Sequence, residues 1–541
     1  MERKDDGLVS IKMKSLALWL LMAAVVFSVI APGSVTVRAN GPTAYYVALN
    51  GNDSWSGTLD APNAGGTDGP FKTIDRARNV IRSQIAGGMT SDITVFVRGG
   101  EYTRTAPLVF EAADSGVGGY EVIYRNYPGE LPVLVHASPI TSGWQQHSGN
   151  IYVTNVGTKR FDSLFENGVA AVPARTPNSG YVEARGSVAG SEASSLAFYA
   201  DDVPVLTQAE QQDVMVNIWT AQNTPGRWHN QNCPVVVPID YTNLEMDFAS
   251  GCAAGSGIVS GNAYYLMGSL DFLDQPGEFY LNSQTGDLYY WKRSGGAIGQ
   301  QDILASNAEQ AVRFAGTSSQ PVHHIAFEGF EIWGTDAVMD LNDVLYEAAV
   351  ELQNTHHISI RHNWIHDVFA TGIGMYGPTS DATIHGNKVE TTGFHGIATR
   401  RFAQQASGTI HHIAVTDNVV DHAGNVIHYG SGIDLVGDDN VIRYNRVNDS
   451  PRFGINYGGL RTIIQYNDVS DAMNESQDGG VIYTRFNNQN GEAQNGSLID
   501  SNAVHDVNIT YDHGYGIYLD DESDHHMVSN NVVYDMQSIG N

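Results

Sequence analysis

The chain has 541 residues, 42% hydrophobic and 16% charged, and its 59 acidic against 29 basic side chains give a formal net charge of −30. The apolar fraction excludes a disordered chain, and the acidic balance argues against nucleic acid as a partner, since a phosphate backbone would be repelled. Two cysteines cannot organise a chain of this length, and 58 glycines without a three-residue period are not collagen.

Residues 1–39 have the layout of a secretory signal. Arg3, Lys4, Lys12 and Lys14 precede an apolar run over 16–30, and Val37, Arg38 and Ala39 form a small-residue cleavage site. The apolar run falls short of the roughly 20 residues that span a bilayer. The mature protein is therefore expected outside the cell, with no membrane association once the signal is cleaved. An oxidising compartment would permit a Cys233–Cys252 disulfide. Two buried free thiols are the alternative.

Residues 40–149 are expected to form an N-terminal cap and the first coils of a solenoid. Tyr45, Tyr46 and Val47 form a strand, and a Gly/Asn/Asp-rich loop follows over 51–69. Helical periodicity over 73–83 places Ile74, Ala77, Val80 and Ile81 on one face, suited to covering the open first coil. Residues 93–97 and 122–124 are early coil strands. Residues 150–300 break the rhythm with many short β-like runs, including a hairpin around 278–291, and are expected to form an inserted β-rich lobe.

Residues 301–541 repeat one phrase, in which an apolar residue is followed three positions later by Asn and two further on by Val or Ile. The asparagines are Asn363, Asn387, Asn418, Asn445, Asn467, Asn502 and Asn531, spaced by 24, 31, 27, 22, 35 and 29 residues. An aspartate often follows at the fourth position: Asp367, Asp449, Asp471, Asp506 and Asp535. A second phrase, usually Gly-Ile, places Ile373, Ile397, Ile433, Ile455, Ile482 and Ile517 at 10, 10, 15, 10, 15 and 15 residues after the asparagines. One turn of the repeat thus has a short form and a form five residues longer. Short strands repeating at this period bury their apolar faces only by stacking. The pattern predicts an all-β fold, a right-handed parallel β-helix with a structural asparagine ladder. No closing cap follows the seventh phrase, so the solenoid is expected to be truncated at its C-terminus.

The long turns hold His428 in one coil, Glu475, Gln477 and Asp478 in the next long turn, and Asp512 and His513 in the last. With the isoleucines inward, alternation turns Asp434, Tyr483, Arg485, Tyr518 and Asp520 outward. Carboxylates on coils about 4.8 Å apart raise one another's pKa, so that one stays protonated while another is ionised, as glycosidic-bond cleavage requires. A polar solenoid face without catalysis gives the same composition. A calcium site at Asp520, Asp521, Glu522 and Asp524 is a further reading; otherwise no metal or cofactor is implied.

The runs 478–484 (DGGVIYT) and 514–521 (GYGIYLDD), with 46–53, 69–74, 175–178 and 272–279 upstream, resemble secreted bacterial β-helix glycosidases. The resemblance is to glycoside hydrolase family 141 and, more distantly, to the family 120 xylosidases. It implies activity on plant cell-wall glycans such as fucosylated pectin or xylan. It also implies a catalytic pair at Asp478 and Asp520, with Asp521 as the alternative to Asp520. His428, Asp434, Tyr483, Arg485, Asp512, His513 and Tyr518 are the expected substrate contacts. The competing functions are a polysaccharide lyase on the same scaffold and a non-catalytic glycan-binding protein. No lysine follows Lys388, which disfavours the anion-stabilising site a lyase needs.

Overall fold

A computed structural model describes residues 43–541 except 142, 222–223, 250–251, 253–256, 294, 337–346, 400–408, 489–490, 510–512 and 539–541. The segment expected to be a signal sequence, 1–39, and Asp512 lie outside the described residues. Among those described, no helix is long and apolar enough to cross a membrane.

The chain winds as a parallel β-helix. A typical coil runs through three strands, as in Ile433–Val436, Val441–Arg443 and Arg446–Ser450, before rejoining the first face at Ile455–Gly458. The first two faces merge into a 20-stranded sheet, because some strands, such as Ala348–Arg361, run through both; the third face is a 10-stranded sheet. Pairing is parallel and in register. The column Ile373, Ile397, Ile433, Ile455, Ile482, Ile517 predicted from spacing stacks residue on residue. Ile384, Val415, Ile442, Ile464 and Ile499 do so on the second face, as do Val389, Val420, Val447, Val469 and Val504 on the third. These side chains form one continuous core. Each fully buried aliphatic contributes about 1.5–3 kcal/mol relative to exposure.

The asparagines close the corner between the second and third faces. Asn418 donates from its backbone N–H and its Nδ2 to Asn445 Oδ1, both at 3.0 Å, and its Nδ2 also reaches Ile384 O at 2.9 Å. The same pattern links Asn363 to Asn387, Asn387 to Asn418, Asn445 to Asn467, Asn467 to Asn502 and Asn502 to Asn531. The aspartates four positions on have a separate cause. Asp367, Asp449, Asp471, Asp506 and Asp535 all have φ between 47° and 55°. The chain turns there through the left-handed region, which Asp and Asn tolerate better than most residues.

At the N-terminal end, the helix Ile74–Ala86 begins at Thr73, whose Oγ1 accepts from Arg76 N–H at 3.1 Å. Ile74, Ala77, Ile81 and Ile85 pack into the same core as Val47 and Val95 of the first coils. Val80, expected on that face, is only partly buried. At the other end, Val528, Val532 and Val533 of the last described coil are exposed.

Sheets of four, five and eight strands, antiparallel except where Val172–Pro173 pairs parallel with Glu278–Leu281, occupy residues 137–306. They hold two apolar cores separate from that of the solenoid. Cys233 and Cys252 are disulfide-bonded within this lobe, with Cα atoms 5.6 Å apart. The solenoid continues across the insertion without a gap, since Val122–Asn126 pairs with Val322–Glu328, and Pro132–Val135 pairs with Glu331–Trp333.

Candidate active site

The site forms where two long turns of the solenoid meet the lobe. Strands Gly479–Thr484 and Gly514–Leu519 are neighbours on the first face, with Tyr483 opposite Tyr518. Asp478 immediately precedes the former and Asp520 immediately follows the latter. The glycine pair after Asp478 has a steric reason: a Cβ on Gly480 would lie 2.7 Å from Tyr518 Cβ. The tyrosine beside Asp520 therefore fits only because its neighbour has no side chain.

Asp520 is well held. Its Oδ2 accepts from Tyr483 Oη at 2.6 Å and its Oδ1 from Asp521 N–H at 2.7 Å. Arg485 Nε stands 3.8 Å away, and the same guanidinium donates from its Nη2 to Asp521 at 2.7 Å. Burial alone would raise the Asp520 pKa. The hydrogen bonds from Tyr483, Asp521 N–H and Tyr518, with the Arg485 charge, outweigh burial and hold it below the usual carboxylate range. Asp478 is shifted the other way. Burial, then the negative charge of Asp520, push it up, and Arg452, His513 and Arg485 only partly offset them. The two aspartates thus sense one another, and their pKa values move in opposite directions. Tyr518, partly buried beside both, is pushed up as well, by burial first and then by Asp520 and Asp478.

A second cluster adjoins the first. Glu475 Oε2 lies 3.0 Å from His428 Nδ1 and accepts a short hydrogen bond from Tyr181 Oη of the lobe. Burial opposes the charge on Glu475, but His428, Tyr181 and Arg227 overcome it and hold the carboxyl down at about 2. Tyr181 and Tyr265 flank His428 at 6.2 Å each. Arg227 lies over Tyr181 at 4.5 Å and Arg175 over Tyr265 at 3.6 Å. The lobe is fastened here by His428 N–H to Asn230 Oδ1 at 3.0 Å and Gln477 N–H to Arg227 O at 2.9 Å. Arg452 joins the two clusters. It lies over Tyr429 at 4.8 Å and Phe453 at 4.4 Å, and its charge acts on Asp478. Phe453 in turn stacks on Tyr483 at 4.2 Å.

The structure therefore gathers Asp478, Asp520, Asp521, Tyr483, Arg485, His513 and Tyr518 in one place, with His428 in the adjoining cluster. Tyr483, also expected outward, is 3% exposed and packs in the solenoid core, and Asp434 likewise differs from the expectation of an outward contact. It does stand on the first face, opposite Asn456, but it is 1% exposed and accepts from Asn456 Nδ2 at 2.8 Å. Outward alternation does not mean solvent where another layer covers the face. Tyr181, Arg175, Arg227, Tyr265 and Arg452 were not foreseen. The four lobe residues are hundreds of positions from the repeat they meet, and Arg452 sits in a short turn with no acidic signature. Of the acids considered for calcium, Asp520 and Asp521 are engaged by Tyr483 and Arg485.

No protein-family model matches the sequence, and no curated protein does. Solved structures do. A protein described as a glycoside hydrolase superposes with a TM-score of 0.72 at 17% identity, over 90% of this chain and 96% of its own. The likeness is one of fold. XylC in complex with xylose matches with a TM-score of 0.40 at 12% identity, over 90% of this chain and 70% of its own. The lacto-N-biosidase of family GH136 from Eubacterium ramulus gives 0.33 at 12%, over 90% and 68%.

Proposed function

We propose that this chain is a secreted carbohydrate-active enzyme that hydrolyses glycosidic bonds of a plant cell-wall-type polysaccharide, of the kind found in glycoside hydrolase family 141. The observation that carries the reading is the opposed shift of two coupled aspartates, Asp478 up and Asp520 down. Opposed environments assign opposite roles. Asp478 is the general acid and gives its proton to the leaving glycosidic oxygen. Asp520, ionised, is the nucleophile at the anomeric carbon or the base that takes a proton from the attacking water. Tyr483 and Arg485 keep it ionised, and Asp521 holds Arg485 in place. Partly exposed Tyr181 and Tyr518 supply aromatic surface suited to sugar rings, while Tyr265, Phe453 and Tyr483 are buried. The fold shared with a protein described as a glycoside hydrolase supports the reaction class.

The test is incubation with xylan and fucosylated pectin, reading both new reducing ends and the absorbance of new C=C bonds. Reducing ends without absorbance are expected. Both together would mean a lyase, and neither would mean a binding protein. The mechanism routes no step through an ion, so EGTA is expected to leave turnover unchanged. Loss on chelation would instead make Asp520, Asp521, Glu522 and Asp524 a calcium site.

A further inference from the structure

Two successive coils of the solenoid carry histidine doublets at the same corner: His323 and His324 in Val322–Glu328, and His356 and His357 in Ala348–Arg361. His323 is in register with His356. The rings stack in pairs, His323 on His356 at 4.7 Å and His324 on His357 at 4.8 Å with planes 3° apart. We propose that His324, His356 and His357 form a binding site for a divalent transition-metal ion of the Zn²⁺ class, which staples the two coils together.

Geometry carries the inference. One ring nitrogen from each of the three residues lies within 4.8 Å of the others, the convergent three-residue group of His, Cys or carboxylate ligands among the described residues. Imidazole nitrogens at about 2.0–2.1 Å from a tetrahedral Zn²⁺ lie about 3.3 Å apart, so small side-chain rotations bring the three onto one ion. Within each doublet the Nδ1 atoms are already 3.0 Å and 2.9 Å apart. The backbone contributes too. His324 and His357 have φ of 52° and 54°, a left-handed corner that throws both rings to the same side. The same corner of later coils holds Asp381, His412, Asp439 and Arg461, also at positive φ. The corner geometry therefore recurs along the solenoid, while the doubled histidines mark these two coils and, as one further rung, His411 and His412.

An all-imidazole set selects borderline ions such as Zn²⁺, Ni²⁺ or Cu²⁺ over Ca²⁺ and Mg²⁺, which take oxygen. Glu121 near His324 and Asp381 near His356 would balance part of the ion's charge. The doublets lie five coils before Asp478, roughly 24 Å along the stack at about 4.8 Å per coil. The metal is thus not a participant in the reaction proposed above.

ZnCl₂ titrated calorimetrically into the full chain, with millimolar CaCl₂ present, decides the matter. One Zn²⁺ per chain is expected, with affinity reduced at least 10-fold in His324→Ala/His356→Ala and unchanged in His411→Ala/His412→Ala. Zn²⁺ should also raise the thermal midpoint of the wild type and the His411/His412 variant but not of the His324/His356 variant. The exposed His357→Gln variant repeats the test should the double variant fold poorly. Equal Zn²⁺ affinity in the wild type and His357→Gln, or no binding by the wild type, would overturn the site.

Discussion

The asparagine corner and the lobe-facing corner are made by the same coils under opposite rules. At the first, Asn387, Asn418, Asn445 and Asn467 repeat one residue and one set of bonds, each near 3.0 Å. At the second, the turns holding His428 and Glu475 differ in length from their neighbours and carry a different side chain in every coil. Where a bond pattern must propagate, identity is kept. Where a substrate must be met by acid, base and ring, each coil contributes one part. Repetition marks the scaffold, and variation at a fixed place on the repeat marks chemistry.

That contrast can be broken by substitution. Asp478→Asn should reduce turnover by about 10²–10⁴-fold, the usual contribution of general acid–base catalysis, with the melting temperature little changed. Full activity in this variant would remove the site assignment. Asn445→Ala should do the reverse. It strips the acceptor from two donors of Asn418, leaving its backbone N–H without that partner, and removes one of the two donors to Asn467 Oδ1. A loss of about 3 kcal/mol in chemical denaturation is expected, at about 1–3 kcal/mol per unsatisfied group, with KM kept in the folded fraction. Tyr181→Phe sharpens the comparison, because it tests whether the lobe takes part. It should cost about tenfold in kcat/KM, the equivalent of one hydrogen bond of about 1.4 kcal/mol to a charged group.

The pH dependence is the subtlest effect. Activity should rise as Asp520 ionises and fall as Asp478 loses its proton, giving a bell whose alkaline limb lies above the ordinary aspartate range. Removing the Asp520 charge in Asp520→Asn should lower the Asp478 pKa, because that charge is one of the causes raising it. A Glu475 titration followed by NMR should show the linked effect on stability. Its folded pKa, about 2 against an ordinary 4.5, contributes stability that is present above the unfolded value and lost as pH falls towards 2. Tyr181→Phe should raise that folded pKa and narrow the window.

The solenoid was legible because its signals are local and repeated. The distances from Asn to Ile of 10 or 15 residues fix the register of each coil on the last, and the Ile column follows from them. The two aspartates were legible as members of neighbouring rungs. Their opposed shifts were not, because these come from the burial of Asp478 and from the contacts of Asp520 with Tyr483, Tyr518 and Arg485, which depend on how the turns fold back. Asp434 shows the limit of alternation, which gives the side of a strand and not what lies over it. Tyr181 shows the limit of sequence proximity, being 294 positions from the Glu475 carboxylate it bonds. A contact between non-repeating segments leaves no period to read.

The lobe leaves the solenoid just after Val135 and returns just before Val312, and at that junction Asn307 N–H donates to His136 O at 2.7 Å. Departure and return also pair as antiparallel strands, Ala137–Pro139 against Leu304–Ser306, so the lobe leaves and rejoins the rod side by side. A different attachment would have to match that paired neck and also the contacts with the long turns, Asn230 with His428, Arg227 with Gln477 and Tyr181 with Glu475. Exchanging the lobe would therefore mean changing those turns with it, while the asparagine rungs beneath could stay as they are.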